Sequence, residues 1–233
     1  MSIGYPRLMS ALPDYLRSVP AGREKLPREV REEHKRERVL AAAVKVFAKR
    51  GYPGTTVDHI VAAAQCGVGS FYSLFEDKEA CFLQAYDRIV EEGRERIEAA
   101  VPADAPWGRQ AVLALRALLE AIEADPLAAR IALVEVQTAG PGALARYEET
   151  IDGVIPLLAR GREESPVGDE LPRRLEEAIA GGLAWFLQQR IVLGEFVGAE
   201  AHLKDVLEIV VEPYLGEEAT AELRASTAGA ATG

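Results

Sequence analysis

The sequence predicts an all-α protein with a compact three-helix head and a longer helical body. Alanine and leucine recur along the whole chain and β-branched alternation is scarce. Apolar residues return at three- and four-residue spacing in one segment after another, and short Gly- or Pro-containing breaks separate the segments. Apolar residues make up 48% of the 233, enough to fill a substantial core.

The elements follow in order. Residues 1–27 hold four prolines and no sustained helical stripe, which suggests a flexible arm. A basic arm touching DNA through Arg17, Arg23 and Lys25 is the alternative. Pro27 suits a helix start, and "REVREEHKRERVLAAAVKVFAKR" follows with Val39, Leu40, Ala43, Val44 and Phe47 on one face. Gly51 stops this helix, with Lys49 and Arg50 near its C-terminus. "YPG" turns the chain, and Thr55 or Thr56 caps a helix to about Ala64. "QCG" breaks it, and a short helix covers roughly Val68 to Leu74. Asp77 then caps a long helix with Cys81, Phe82, Ala85, Tyr86, Ile89 and Val90 along its stripe. Further helices are expected over 113–122, 127–136, 144–158, 170–193 and 203–214. After Gly216 the composition suggests a flexible tail over 217–233.

Charge divides the chain. Residues 1–80 hold 13 Lys and Arg against 10 Asp and Glu, and the remainder holds 14 against 27. A net charge of −10 therefore does not exclude a nucleic-acid partner, because the local face decides. No run of 18 uncharged apolar residues is present, and the N-terminal segment lacks the apolar centre of a signal peptide. The expectation is a cytoplasmic protein with no membrane partner.

A helix, a tight turn and a second helix make the helix-turn-helix arrangement, whose second helix enters the DNA major groove. The stretch "FAKRGYPGTTVDHIVAAAQCGVGSFYSLFEDKEACFLQAY" closely resembles the DNA-binding head of TetR-type transcriptional regulators. Phe47, Gly51, Thr55, Thr56, Ile60, Ala64, Gly69, Ser70, Phe71, Tyr72, Phe75 and Lys78 fall in register with that pattern without a gap. The match covers about 50 residues. Three positions depart from it. Gln65 stands at the turn glycine, Cys66 at an apolar valine, and Gly67 at the serine that starts the recognition helix. A glutamine at φ > 0 costs about 1 kcal/mol, and Gly67 is the expected place for the strain to be absorbed.

The resemblance implies a helix-turn-helix DNA-binding head over 28–80 and a helical ligand-binding and dimerisation domain over 81–216. It implies DNA contacts from Thr55, Thr56, Gly67, Val68, Gly69, Ser70, Tyr72 and Lys78. Small Gly69 and Ser70 let the helix approach the groove, and Ser70 can bond a phosphate or a base edge. Tyr72 is assigned to phosphate by the resemblance. Val68 either touches a thymine methyl or is plainly exposed. Phe75 is read as a core plug.

Other signals are weaker. His34, His59 and His202 match no metal spacing, so neither a metal nor another cofactor is expected. His59 could meet phosphate or simply be solvated. Cys66 and Cys81 read as inert thiols. The acidic pairs Glu91–Glu92 and Glu163–Glu164 read as solvated faces, and no catalytic set emerges, so no enzyme is expected.

For the body, the resemblance implies a small-molecule cavity and a homodimer formed by the last two long helices, with Trp185 and Val210 in the contact. Cavity candidates are Phe82, Tyr86, Trp107, Gln137, Tyr147, Trp185, Phe186 and Gln189, a mostly apolar set that favours a hydrophobic effector. The expected function is a ligand-responsive transcriptional regulator, a repressor released from a double-stranded operator. A helical adaptor with a degenerate head is the alternative.

Overall fold

The computed structural model describes residues 28–228, and the expectations for the arm over 1–27 and for the last five residues lie outside it. The chain divides into two compact units, Met1–Lys35 and Arg36–Gly233. Of the first, the described part is the opening of helix α1, which spans Arg28–Arg50. The remaining description concerns the second unit, in which no strand occurs among the described residues.

The head is built by α1, α2 (Val57–Ala64), α3 (Val68–Tyr72) and the start of α4 (Lys78–Ala100). α1 ends at Gly51, whose φ of 74° turns the chain while its N–H closes on the Phe47 carbonyl at 2.8 Å. Thr56 caps α2 in a reciprocal box: its hydroxyl accepts from the His59 N–H, and His59 Nδ1 accepts from the Thr56 N–H. Asp77 caps α4 by accepting from the Ala80 N–H at 2.7 Å.

The body continues with α5 (Trp107–Ala124), α6 (Pro126–Leu133), a 3-10 turn (Glu135–Thr138) and α7 (Pro141–Asp152). Short helices α8 (Ile155–Ala159) and α9 (Gly161–Glu164) lead through a second 3-10 turn (Gly168–Glu170) to the long α10 (Leu175–Leu193). α11 (Ala199–Val210), α12 (Glu212–Leu215) and α13 (Glu217–Ala228) complete it.

Two apolar cores hold these helices. The first joins Val39, Phe47, Ile60, Phe71 and Phe75 of the head to Phe82 and Tyr86 of α4, and continues to Ile131, Val136 and Ala143. It runs across residue 80 without a break. The second packs α5 between α10 and α11, with Leu119, Leu187, Leu203, Leu207 and Tyr214 at its centre.

Three expectations are corrected here. Glu217–Ala228, read as part of a loose tail, is helical. Leu223 packs on the second core, and the Thr220 and Thr227 hydroxyls bond back to carbonyls one turn earlier. Glu164, read as solvated, receives the first N–H groups of α5, from Trp107 and from Gly108 at 3.2 Å. A carboxylate there satisfies orphan donors and complements the helix dipole. Val210, expected in a contact between copies, is buried in the second core of its own chain.

Candidate nucleic-acid interface

Of the five residues of α3, Phe71 alone is buried. Phe71 is fully buried, and its ring lies against Phe75 at 5.3 Å. Phe75 plugs the first core as expected. Val68 and Tyr72 turn outward, 44% and 55% exposed. No hydrogen bond among the described residues occupies the Tyr72 hydroxyl or the Ser70 hydroxyl; Ser70 bonds through its backbone, its N–H donating to the Gly67 carbonyl and its carbonyl accepting from the Ser73 hydroxyl.

Gly67 and Gly69 sharpen this. A Cβ placed on either would meet no atom within 4 Å. Internal packing therefore does not demand glycine at these positions. The absence of side chains leaves backbone open to an outside surface, and close approach is what groove entry requires.

The turn into α3 has left-handed geometry at Gln65, with φ 51° and ψ 48°, the sole non-glycine residue at positive φ among those described. The expected cost at Gln65 therefore falls where the sequence placed it. Gly67 does not absorb it: its φ of −80° and ψ of 155° are ordinary extended values. The turn is held by the Gln65 N–H to the Ala62 carbonyl and the Cys66 N–H to the Val61 carbonyl.

Two expected contact residues are occupied inside the protein. Thr55 is 1% exposed and its hydroxyl donates to the Gly51 carbonyl at 2.8 Å, so no phosphate can reach it. Lys78 donates to the carbonyls of Tyr52 at 3.0 Å and Thr55 at 2.9 Å, and its ammonium stands 4.0 Å from the Tyr52 ring centre. Burial lowers the Lys78 pKa from its ordinary value. Lys78 therefore braces the turn before α2. Thr56 remains exposed at the α2 N-terminus. The His59 Nδ1 serves the cap, accepting from the Thr56 N–H at 3.2 Å. The signal was Thr-x-x-His at capping-box spacing, with histidine where Glu or Gln is usual.

Sequence reading also missed Arg36, whose guanidinium donates to the Leu74 carbonyl at 3.1 Å and lies over the Phe75 ring, tying α1 to the end of α3. Cys81 is fully buried and its thiol is pushed up to about 12 by desolvation, which keeps it protonated and inert.

In the body, the cavity candidates do not assemble as one set. Gln137, Tyr147 and Trp185 line one cleft of about 280 Å³ between the first 3-10 turn, α7 and α10. Phe82 is packed against Phe47 and Tyr52 in the first core. Tyr86 is buried beside it and donates to Thr150. Trp107 meets Tyr214 edge-on and donates to the Leu157 carbonyl. Phe186 packs on the second core under Arg190. Neither Phe186 nor Gln189 lines that cleft. A second cleft, about 350 Å³, lies where α5 and α10 end, beside Phe196 and Val197. No group of three or more His, Cys, Asp or Glu suited to a metal occurs among the described residues.

Comparison with known proteins bears on both halves. The family model described as bacterial regulatory proteins, tetR family, matches residues 39–85. The chain is 32% identical over 82 residues to the uncharacterized HTH-type transcriptional regulator YhgD of Bacillus subtilis (strain 168), covering 35% of this chain and 43% of that protein. It is 47% identical over 45 residues to the HTH-type transcriptional repressor DhaR of Mycobacterium sp. (strain GP1), covering 19% of this chain and 23% of that protein. The chain thus spans less than half the length of these sequence relatives. Solved structures extend the likeness to the fold of the body. The fatty acid degradation regulator FadR from Bacillus halodurans superposes with a TM-score of 0.67 at 19% identity, covering 81% of this chain and 97% of that one. FadR from Bacillus subtilis, in complex with stearoyl-CoA, gives 0.64 at 19% identity, covering 78% and 98%. The head therefore matches the tetR family of bacterial regulatory proteins over residues 39–85, and most of the chain shares its fold with the FadR regulators.

Proposed function

We propose that the protein is a cytoplasmic DNA-binding transcriptional regulator that works as a homodimer, a repressor released from a double-stranded operator by a small hydrophobic effector. The observation that carries this reading is the open face of α3. A side chain on Gly67 or Gly69 would meet nothing within the protein, and Val68, Ser70 and Tyr72 stand around them. Thr56 adds a hydroxyl at the start of α2.

Dimerisation is supported by α10. Gly181, Trp185, Gln188 and Val192 share one stripe of that helix, and Trp185 is 63% exposed. An exposed stripe with a tryptophan, a valine and a glycine in it suits a second copy of the same helix. The effector reading is supported by the cleft at Gln137, Tyr147 and Trp185, and by the stearoyl-CoA held by a fold neighbour. Effector binding then shifts the population towards a dimer whose heads no longer match successive major grooves.

The test is capture of genomic fragments by the purified protein, followed by sedimentation of the protein alone. The reading expects recovery of a defined pseudo-palindromic fragment and a dimer at micromolar concentration, which Trp185→Glu converts to monomer. Recovery of no fragment overturns the regulator reading and favours the helical adaptor.

A further inference from the structure

Tyr52, in the turn between α1 and α2, is held from several sides. Its carbonyl and its ring both receive the Lys78 ammonium. The ring also stacks on Phe47 at 5.6 Å and meets Phe82 edge-on at 5.2 Å. Its N–H donates to Glu135 Oε2 at 2.9 Å. That turn fixes where α2 begins, because the same Lys78 ammonium holds the carbonyl of Thr55, the residue before the cap.

Glu135 differs from the other partners. It comes from the body, 83 positions away in the chain. Its carboxylate is buried, and its second oxygen accepts from Arg130 Nε at 3.1 Å. Its carboxylate lies close to Gly51, whose φ of 74° turns the chain there. Glu135 opens the four-residue 3-10 turn, and Gln137, two positions on, lines the cleft with Tyr147 and Trp185. Successive residues of a 3-10 helix are about 120° apart, so residues 135 and 137 serve two different sides of one short element. An element of four residues moves as a piece. Whatever displaces Gln137 from the cleft side also moves the carboxylate on the head side.

We propose that Glu135 is a positioning residue for DNA reading, and that filling of the Gln137 cleft acts on α2 and α3 through it. The proposal rests on the regulator reading above. An occupant of the cleft pushes the 3-10 turn, the Glu135–Tyr52 bond lengthens, and a half-buried N–H loses its acceptor. The turn then relaxes, and the population of heads aimed for the groove falls. The coupling is a claim about one element with two positions and is open to a double-mutant cycle.

The experiment uses the full chain, hydrogen exchange of the amides at 52–55, and anisotropy on the fragment that the wild type captures. Glu135→Ala is expected to speed exchange at Tyr52 and to weaken fragment binding, each by about tenfold. Gln137→Trp fills the cleft without removing a buried group, and is expected to do the same to a smaller degree. Added to Glu135→Ala, it should have no further effect. Wild-type exchange and wild-type affinity in Glu135→Ala, or full additivity of the two substitutions, overturns the proposal. Should Glu135→Ala fail to fold, Glu135→Gln, which keeps an acceptor for the Tyr52 N–H, is expected to stay near wild type, and Gln137→Trp carries the test; wild-type exchange and affinity in Gln137→Trp overturn the proposal as well. If the wild type captures no fragment, the regulator reading fails, and the exchange arms alone decide the role of Glu135.

Discussion

The two turns of the head are built in opposite ways. The turn between α1 and α2 is gripped from outside itself. Phe47, Lys78, Phe82 and Glu135, from three other parts of the chain, converge on Tyr52. The turn between α2 and α3 is held by its own backbone, with Gln65 in the left-handed region and two glycines facing open space. The first is over-determined by the protein. The second leaves its surface free, as a site that must be completed by another molecule would. Strain at Gln65, at about 1 kcal/mol, is affordable only because neighbouring helices fix both ends of the turn.

Substitutions should separate the two turns by what they damage. Phe47→Ala, in α1 against the gripped turn, removes a fully buried ring and should cost about 3–5 kcal/mol in urea unfolding. A loss below 1 kcal/mol would show that the Tyr52 cluster does not hold the head. Lys78→Ala removes two charge-assisted bonds to carbonyls and should cost about 2 kcal/mol of stability. If stability is unchanged while the salt dependence of DNA binding flattens, Lys78 is a phosphate ligand after all and the bracing role is wrong. On the open side, Tyr72→Phe should weaken operator binding by about 1 kcal/mol and leave the melting curve in place. A shifted melting curve would place the Tyr72 hydroxyl inside the structure. The smallest effect belongs to Gln65→Gly, which relieves the left-handed backbone and should stabilise by about 0.5 kcal/mol after the gain in unfolded-chain entropy is subtracted. Destabilisation would mean that the Gln65 side chain contributes contacts of its own.

What was legible in the sequence follows the same division. α1 and the caps of α2 and α4 are local features, written in Gly51, Thr56 and Asp77, and the structure has them at those residues. The helical periods of the body were legible in outline, but the helix expected over 144–158 breaks at Gly153 and Val154, the one expected over 170–193 begins only at Leu175, and the one expected over 203–214 is interrupted at Val211. The misreadings concern side chains whose partners lie far along the chain. Lys78 and Thr55 match the DNA-binding pattern by register, yet their polar atoms are spent on carbonyls of the preceding turn. Glu164 has the look of a surface carboxylate until α5 is brought to it from 57 positions away. Phe82, Tyr86 and Trp107 are apolar enough for a cavity, and only packing shows them to be core. Val210 has the helical spacing of an interface residue, but α11 turns that spacing towards its own chain. Glu135 carried no signal, because nothing in "LVEVQTAG" announces a partner at Tyr52.

The central claim is that the open face of α3, and not the acidic body, meets a charged polymer. Anisotropy of a labelled captured fragment across a salt series tests it most directly. The account predicts a steep fall in affinity, with a log–log slope on the order of −4 to −8 for a dimer meeting several phosphates per half-site. Gly69→Glu, which adds a charged side chain to that face where internal packing leaves space, should abolish the binding at every salt concentration without lowering the melting temperature. A flat salt dependence, or a Gly69→Glu protein that binds as the wild type does, would contradict it.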